Sequence, residues 1–176
     1  MSACWHGKNA VFSMPAAQPS AQNGMERLLD TYMPLLKAAE PAAAAAYFSS
    51  WFGGVALAFH YFISRNKGPD LSLGNITVQL YPVGNYHRFS FQVGEWQEQD
   101  APLDPKERDR WRERMFTDFF YGKTVRPLFE AASGAAGIHI TQLWGSCRTN
   151  FFYFMEGLAV ESDPNIRERA PRIIIG

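Results

Sequence analysis

Cysteine is scarce in this sequence, which contains only Cys4 and Cys147 among its 176 residues. An iron–sulfur cluster takes four protein ligands, normally thiolates, and a structural zinc site takes four cysteines or histidines. Two cysteines cannot complete a cluster, so we expect the chain itself to bind no metal cofactor. The opening residues do not form a charged segment followed by an apolar run, which favours a reducing compartment and free thiols. A disulfide between the two cysteines is the alternative.

An excess of charge of one sign is also missing, because 17 Lys and Arg residues balance 17 Asp and Glu residues. Without a net positive field there is no long-range attraction to nucleic acid, and we expect no nucleic-acid partner. There is no P-loop, no G-x-G-x-x-G and no histidine pair at metal-ligand spacing. We expect His60, in an apolar stretch, to be a core histidine with one hydrogen-bond partner. Cys147 is expected to be a buried small residue; the alternative is a thiol whose pKa the neighbouring Arg148 lowers.

Apolar and aromatic residues, in contrast, are plentiful, at 47% and 15% of the chain. This content is sufficient for one packed core, and the length is typical of one domain. We predict an α+β, mainly helical domain over residues 25–176, built as a helix bundle with a small antiparallel β-hairpin. Residues 1–24 contain prolines and show no periodic pattern, so we expect them to form a flexible tail.

The longest apolar run, from Ala42 to Ile63, contains no formally charged residue and is long enough to span a bilayer. Small and polar residues interrupt it: Ser49, Ser50, Gly53, Gly54 and His60. Such a composition is typical of a buried central helix, and a membrane span is the alternative. We expect a cytoplasmic protein without an integral membrane span, either free or peripheral to the inner membrane.

Local signals place the remaining elements. Apolar and polar residues alternate over 76–81 and 88–93, on both sides of a Pro/Gly/Asn turn, which predicts a β-hairpin. Asp104 followed by Pro105 predicts a helix start, and Gly122 and Pro127 are expected to divide that helix. A last helix is predicted to begin near Thr141.

Two stretches carry a resemblance to a known family. The first is MERLLDTYMPLLKAAEPAAAAAYFSSWFGGVALAFHYFI, and the second is FYGKTVRPLFEAASGAAGIHITQLWGSCRTNFFYFMEGLA. Their order, with a hairpin between them, resembles the ferric siderophore reductase family (FhuF-like) over roughly residues 26–160. The core is also similar to the C-terminal module of aerobactin-type siderophore synthetases. This chain is far shorter than such a synthetase, and it has no nucleotide-binding motif.

The resemblance implies cytoplasmic binding or processing of ferric siderophores in iron acquisition. Reductases of this family end in a cysteine-rich segment that binds a [2Fe–2S] cluster, and this sequence has no such segment. Ser146 stands where the family often has asparagine. Iron is therefore expected only as part of a ferric siderophore ligand, and its reduction would need an external electron-donor protein.

Aromatic and basic side chains are the candidates for contacting such a ligand, since flat rings cover organic groups and arginines meet negatively charged oxygens. The candidates are Trp51, His87, Arg88, Trp144, Ser146, Arg148 and Tyr153. No catalytic residue is assigned. The alternative function is a non-enzymatic protein-interaction module, a degenerate member of the family that binds a partner through an aromatic surface. A cleft lined by Trp51, Trp144 and an arginine would favour the ligand, and a flat exposed apolar area would favour the partner.

Overall fold

The protein is described by a computed structural model that covers residues 10–21 and 23–161, with the side chains of 158–161 excepted. Its helices are Gly24–Leu36 (α1), Pro41–Ser64 (α2), Pro105–Arg114 (α3), Arg126–Ala136 (α4) and Ile140–Glu161 (α5), and a π-helix, Met115–Val125, joins α3 to α4. The strands are Phe12–Pro15 (β1), Lys67–Pro69 (β2), Ile76–Val83 (β3), Tyr86–Val93 (β4) and Glu98–Asp100 (β5). The predicted α+β, mainly helical class is confirmed.

The predicted hairpin is present as β3 and β4, which pair antiparallel around a turn at Gly84 and Asn85. Gly84 has a φ of 58°, in the left-handed region that glycine adopts without strain. Two strands alone are marginally stable in water. The apolar side chains on one face of the hairpin pack on the helices and stabilise it. A third strand, β1, pairs with β3 on its other side.

Strand β1 corrects the expectation of a flexible tail over residues 1–24. Phe12 pairs with Leu80, and Met14, beside Val78, is 1% exposed. This pairing is a contact between distant parts of the chain, so no local pattern in the sequence predicts it. The tail expectation for residues 1–9, and the cysteine at position 4, lie outside the described residues.

A second small sheet occupies two segments that carry loop signals in the sequence. β2 and β5 pair antiparallel, and Lys67 lies 3.1 Å from Glu98 and 2.6 Å from Asp100. These carboxylates raise the pKa of Lys67 mainly through hydrogen bonds, with Asp100 contributing most. The ion pairs are exposed and contribute little to the stability of the protein. The sheet joins the segment that follows α2 to the segment that precedes α3.

Helix α2 lies in the centre of the core, as expected for a buried helix. Phe48, Phe52 and Phe59 are fully buried, and each contacts other aromatic rings. Within the described residues, α2 is also the one helix that could cross a membrane by length and composition, with 56% of its apolar window buried. Core helices pass the same test, so the absence of a membrane span stays a prediction.

The helix that begins after Asp104 has the expected cap, because the Asp104 carboxylate accepts a hydrogen bond from the Glu107 amide at 2.9 Å. The expected division at Gly122 and Pro127 is wrong, since the chain stays helical from α3 through the π-helix into α4. A Cβ at position 122 would lie 2.6 Å from the Thr117 carbonyl oxygen. Glycine therefore permits the π-helix rather than ending it.

Helix α5 begins at Ile140, next to the predicted start, and packs closely against α2. The closest approach is at Gly53. A Cβ built on Gly53 would lie 2.6 Å from the Cys147 carbonyl oxygen and 2.9 Å from the Phe151 amide nitrogen. The absence of a side chain at position 53 thus sets the distance between the two helices that carry most of the candidate site.

Candidate functional site

A row of aromatic rings crosses from the core to the surface over three helices. Its members, with ring centroids 5.9–6.2 Å apart, are Tyr32 of α1, Tyr47 and Trp51 of α2, and Phe154 and Tyr153 of α5. We call these five rings the aromatic row. Tyr32 is fully buried, the next three are half-buried, and Tyr153 is 70% exposed. The row thus presents rings to solvent along one side while its inner end is fixed in the core.

The inner end of the row is held by the sheet. The Tyr32 hydroxyl donates a hydrogen bond to the carbonyl oxygen of His87, at 3.3 Å, and its ring packs on Phe89 at 4.3 Å. Burial, followed by the nearby Tyr47, raises the pKa of Tyr32, so the phenol stays protonated and remains a donor. The Nδ1 atom of His87 is buried and has no hydrogen-bond partner among the described residues.

A second cluster of chemically capable side chains lies where the π-helix meets α2 and α5. His60 Nε2 and the Tyr121 hydroxyl are joined by a hydrogen bond of 2.8 Å. The rings of Phe116 and Phe151 lie 4.7 and 5.0 Å from the His60 ring. Burial lowers the pKa of His60, so the imidazole is neutral at physiological pH. The predicted single hydrogen-bond partner of His60 is therefore present, and the residue itself is half-buried.

Cys147 belongs to the same cluster. The residue is 5% exposed, and burial raises the pKa of its thiol to about 12. The pKa of Tyr121 is raised to about 12, first by burial and then by the charge that Cys147 would carry. Arg148 does not lower the pKa of the thiol, because its exposed guanidinium lies over the ring of Phe152, at 5.3 Å. The interpretation of Cys147 as a buried small residue is confirmed, and the reactive thiol is not supported.

The π-helix is the structural reason that Tyr121 reaches His60. π-helical turns are rare and occur often at functional sites, where the wider turn re-aims a side chain. Here the turn brings the Tyr121 ring to 6.0 Å from Trp144 while its hydroxyl meets the imidazole. The hydrogen bond joins α2 to the π-helix, and Phe151 of α5 packs on the His60 ring beside it.

The structure brings some of the seven predicted site residues together. Trp51 and Tyr153 belong to the aromatic row, and the carbonyl group of His87 anchors the row's inner end. Ser146 precedes Tyr153 by seven residues, which is two helical turns, so both lie on the same side of α5.

The other three predicted residues lie elsewhere. Trp144 packs on Phe129 and Tyr121, with ring centroids at 4.7 and 6.0 Å, so it has no ring partner in common with Trp51. Arg148, one turn after Trp144, sits on the exposed part of α5. Arg88 alternates with His87 along β4 and therefore points to the opposite face of the sheet. Its buried Nε atom has no hydrogen-bond partner among the described residues.

Sequence reasoning missed three residues that complete these clusters: Tyr47, Phe154 and Tyr121. Tyr47 precedes Trp51 by four residues, which is a helical spacing that could have identified it as a neighbour. Phe154 follows Phe151 by three residues, a helical spacing that indicates an apolar face of α5 but not a contact with Trp51. No sequence signal marks Tyr121, because its position depends on the π-helix.

Comparisons with known proteins give no further guide to these clusters. Family models, curated proteins and solved structures contain no match to this chain. Within residues 10–21 and 23–161, no group of three His, Cys, Asp or Glu side chains is placed to hold a metal ion.

Proposed function

We propose that this chain binds a ferric siderophore on the aromatic row, and that a separate electron-donor protein reduces the bound iron. Reduction adds one electron from the donor to Fe(III), and Fe(II) leaves because siderophores hold it more weakly. The proposal rests on the resemblance to ferric siderophore reductases. It places the binding and the reduction of the ferric siderophore in the cytoplasm. The helix pair, the hairpin, the RPLFEA helix and the LW helix follow one another in the order on which that resemblance depends.

The aromatic row is the observation that carries the proposal. A ferric chelate is bulky and partly apolar, and flat rings can cover its organic groups. Trp51 and Phe154 are half-buried and Tyr153 is largely exposed, so the row offers ring surface without needing to unfold. Each well-placed aromatic contact contributes about 0.5–1.5 kcal/mol beyond area burial. Two or three such contacts would add about 1–4.5 kcal/mol to the free energy gained by burying the apolar groups of the chelate.

The test is a titration of the purified full chain with ferric hydroxamate, ferric catecholate and ferric citrate chelates, followed by calorimetry and by the shift in melting temperature. We expect binding of at least one of these chelates. Trp51→Leu should weaken it about tenfold or more, because about 1.4 kcal/mol corresponds to tenfold. Trp96→Leu is the matched control, since Trp96 is 51% exposed and packs on Phe62 rather than on the row.

Equal affinities of the Trp51→Leu and Trp96→Leu variants would show that the row is not the site. The absence of binding by the unmodified chain to all three chelates would overturn the proposal itself.

The second candidate function is the non-enzymatic interaction module. Two observations support it. Trp51 and Trp144 contact different rings, so they do not line one cleft together with an arginine. The end of α5 also has an exposed apolar surface, where Phe152 is 42% and Met155 is 41% exposed. A chain that binds none of the chelates but associates through this surface would fit that candidate.

A further inference from the structure

One face of α5 has no packing partner within the described part of the chain. Its residues recur at spacings of three and four, so they share one side of the helix. They are Gly145, Arg148, Thr149, Phe152, Met155 and Glu156, and all are exposed. A Cβ built on Gly145 would meet no atom within 4 Å, so the space above the start of this face is open. We call these six residues the outer face of α5.

Charge on the outer face is arranged symmetrically about Phe152. Arg148 stands four residues before Phe152, and Glu156 stands four residues after it. Eight residues of helix measure about 12 Å, so these two side chains cannot pair with each other in one helix. Neither forms an ion pair with the described side chains of residues 10–21 and 23–157. The Arg148 guanidinium covers its own Phe152 ring instead.

We propose that a second copy of this chain binds the outer face, with the two α5 helices antiparallel about a two-fold axis at Phe152. Antiparallel pairing about one residue places the residue four before it opposite the residue four after it. Arg148 of each copy then meets Glu156 of the other, and the two Phe152 rings meet at the axis. Such an interface is isologous, as in most homodimers. Arg148 and Glu156 of each copy therefore gain the oppositely charged partners that they lack in the single chain.

The pairing is expected to be weak. One helix pair buries less than the area of about 1,600 Å² that is standard for stable complexes. We expect the dimer to form at about 10–100 µM, a range typical of transient association. The interface does not involve the aromatic row, so the dimer and the proposed ligand can be tested independently.

The charge pattern allows a test by exchange. Sedimentation of the full chain across this concentration range should show reversible dimers. Arg148→Glu alone and Glu156→Arg alone should each weaken the dimer by about tenfold or more, because like charges then face each other twice. Mixing these two variants should restore association, because every pair across the mixed dimer is again of opposite charge. The double variant Arg148→Glu/Glu156→Arg should also dimerise.

Arg114→Glu is the matched control, since it makes the same charge change at an exposed position of α3. Circular dichroism of each variant checks the fold. The proposal is overturned if the unmodified chain is monomeric throughout the range, or if Arg148→Glu and Arg114→Glu dimerise equally. It is also overturned if neither the mixture nor the double variant regains association.

Discussion

Replacing Gly53 by alanine should destabilise the protein, although alanine is the better helix former. The new methyl group would lie 2.6 Å from the Cys147 carbonyl oxygen and 2.9 Å from the Phe151 amide nitrogen. Both atoms belong to the backbone of α5, so they cannot move aside as the end of a flexible side chain can. Overpacking of this kind costs about 1–3 kcal/mol. The higher helix propensity of alanine offsets about 0.8–1.0 kcal/mol of this cost.

The balance for Gly53→Ala is a loss of up to about 2 kcal/mol, which lowers the melting temperature by up to about 8 °C in a chain of this size. Gly54→Ala is the control on the next residue, because its methyl group would meet only the Phe154 ring, at 3.4 Å. We expect that variant to match the unmodified protein or to melt up to about 4 °C higher. Calorimetric melts of the three proteins provide the measurement. Equal stability of the two variants would refute the close crossing of α2 and α5.

Three further predictions concern the buried cluster and the cysteines. Because burial lowers the pKa of His60 below its ordinary value of 6.5, the unfolded state binds the proton first, and stability should fall as the pH drops below 6.5. A His60→Gln variant should show a smaller fall in melts across pH 4–8. Because the pKa of Cys147 is raised to about 12, we expect its thiol to react with a thiol reagent at pH 8 only after unfolding. A Cys4→Ser background isolates the Cys147 thiol. Rapid labelling of the native protein would contradict the burial of this thiol. The purified chain should be colourless, without stoichiometric iron or sulfide, since two cysteines are fewer than a cluster needs; a visible absorbance band with matching iron and sulfide would indicate a cluster shared between copies.

The sequence predicts those elements whose determinants are local. The alternation on both sides of the Gly84 turn predicts the hairpin, and the capping signal at Asp104 predicts the start of α3. The apolar run predicts α2 as a core helix. Each of these patterns lies within one continuous segment of the chain, so no tertiary information is required.

The missed elements depend on contacts between distant residues. Strand β1 exists because Phe12 meets Leu80, and β2 pairs with β5 across the hairpin. Gly122 carries the usual signal of a helix break, but the structure uses its missing side chain to relieve a contact inside the π-helix. The sequence also does not show that the candidate site residues lie in different places. Neighbours along α5 point to different sides of the helix, and their partners come from distant parts of the chain.

The two sides of α5 also separate the two proposals. Tyr153 lies about 100° around the helix from Phe152, and about 140° from Arg148. The aromatic row therefore continues towards α2 through Phe154, while the outer face turns away from it. We expect Arg148→Glu to weaken the dimer by about tenfold or more and leave chelate binding unchanged. We expect Trp51→Leu to weaken chelate binding and leave the dimer unchanged. Loss of chelate binding in a folded Arg148→Glu variant would mean that the ligand lies along Trp144 and Arg148, and that the row is only part of the core.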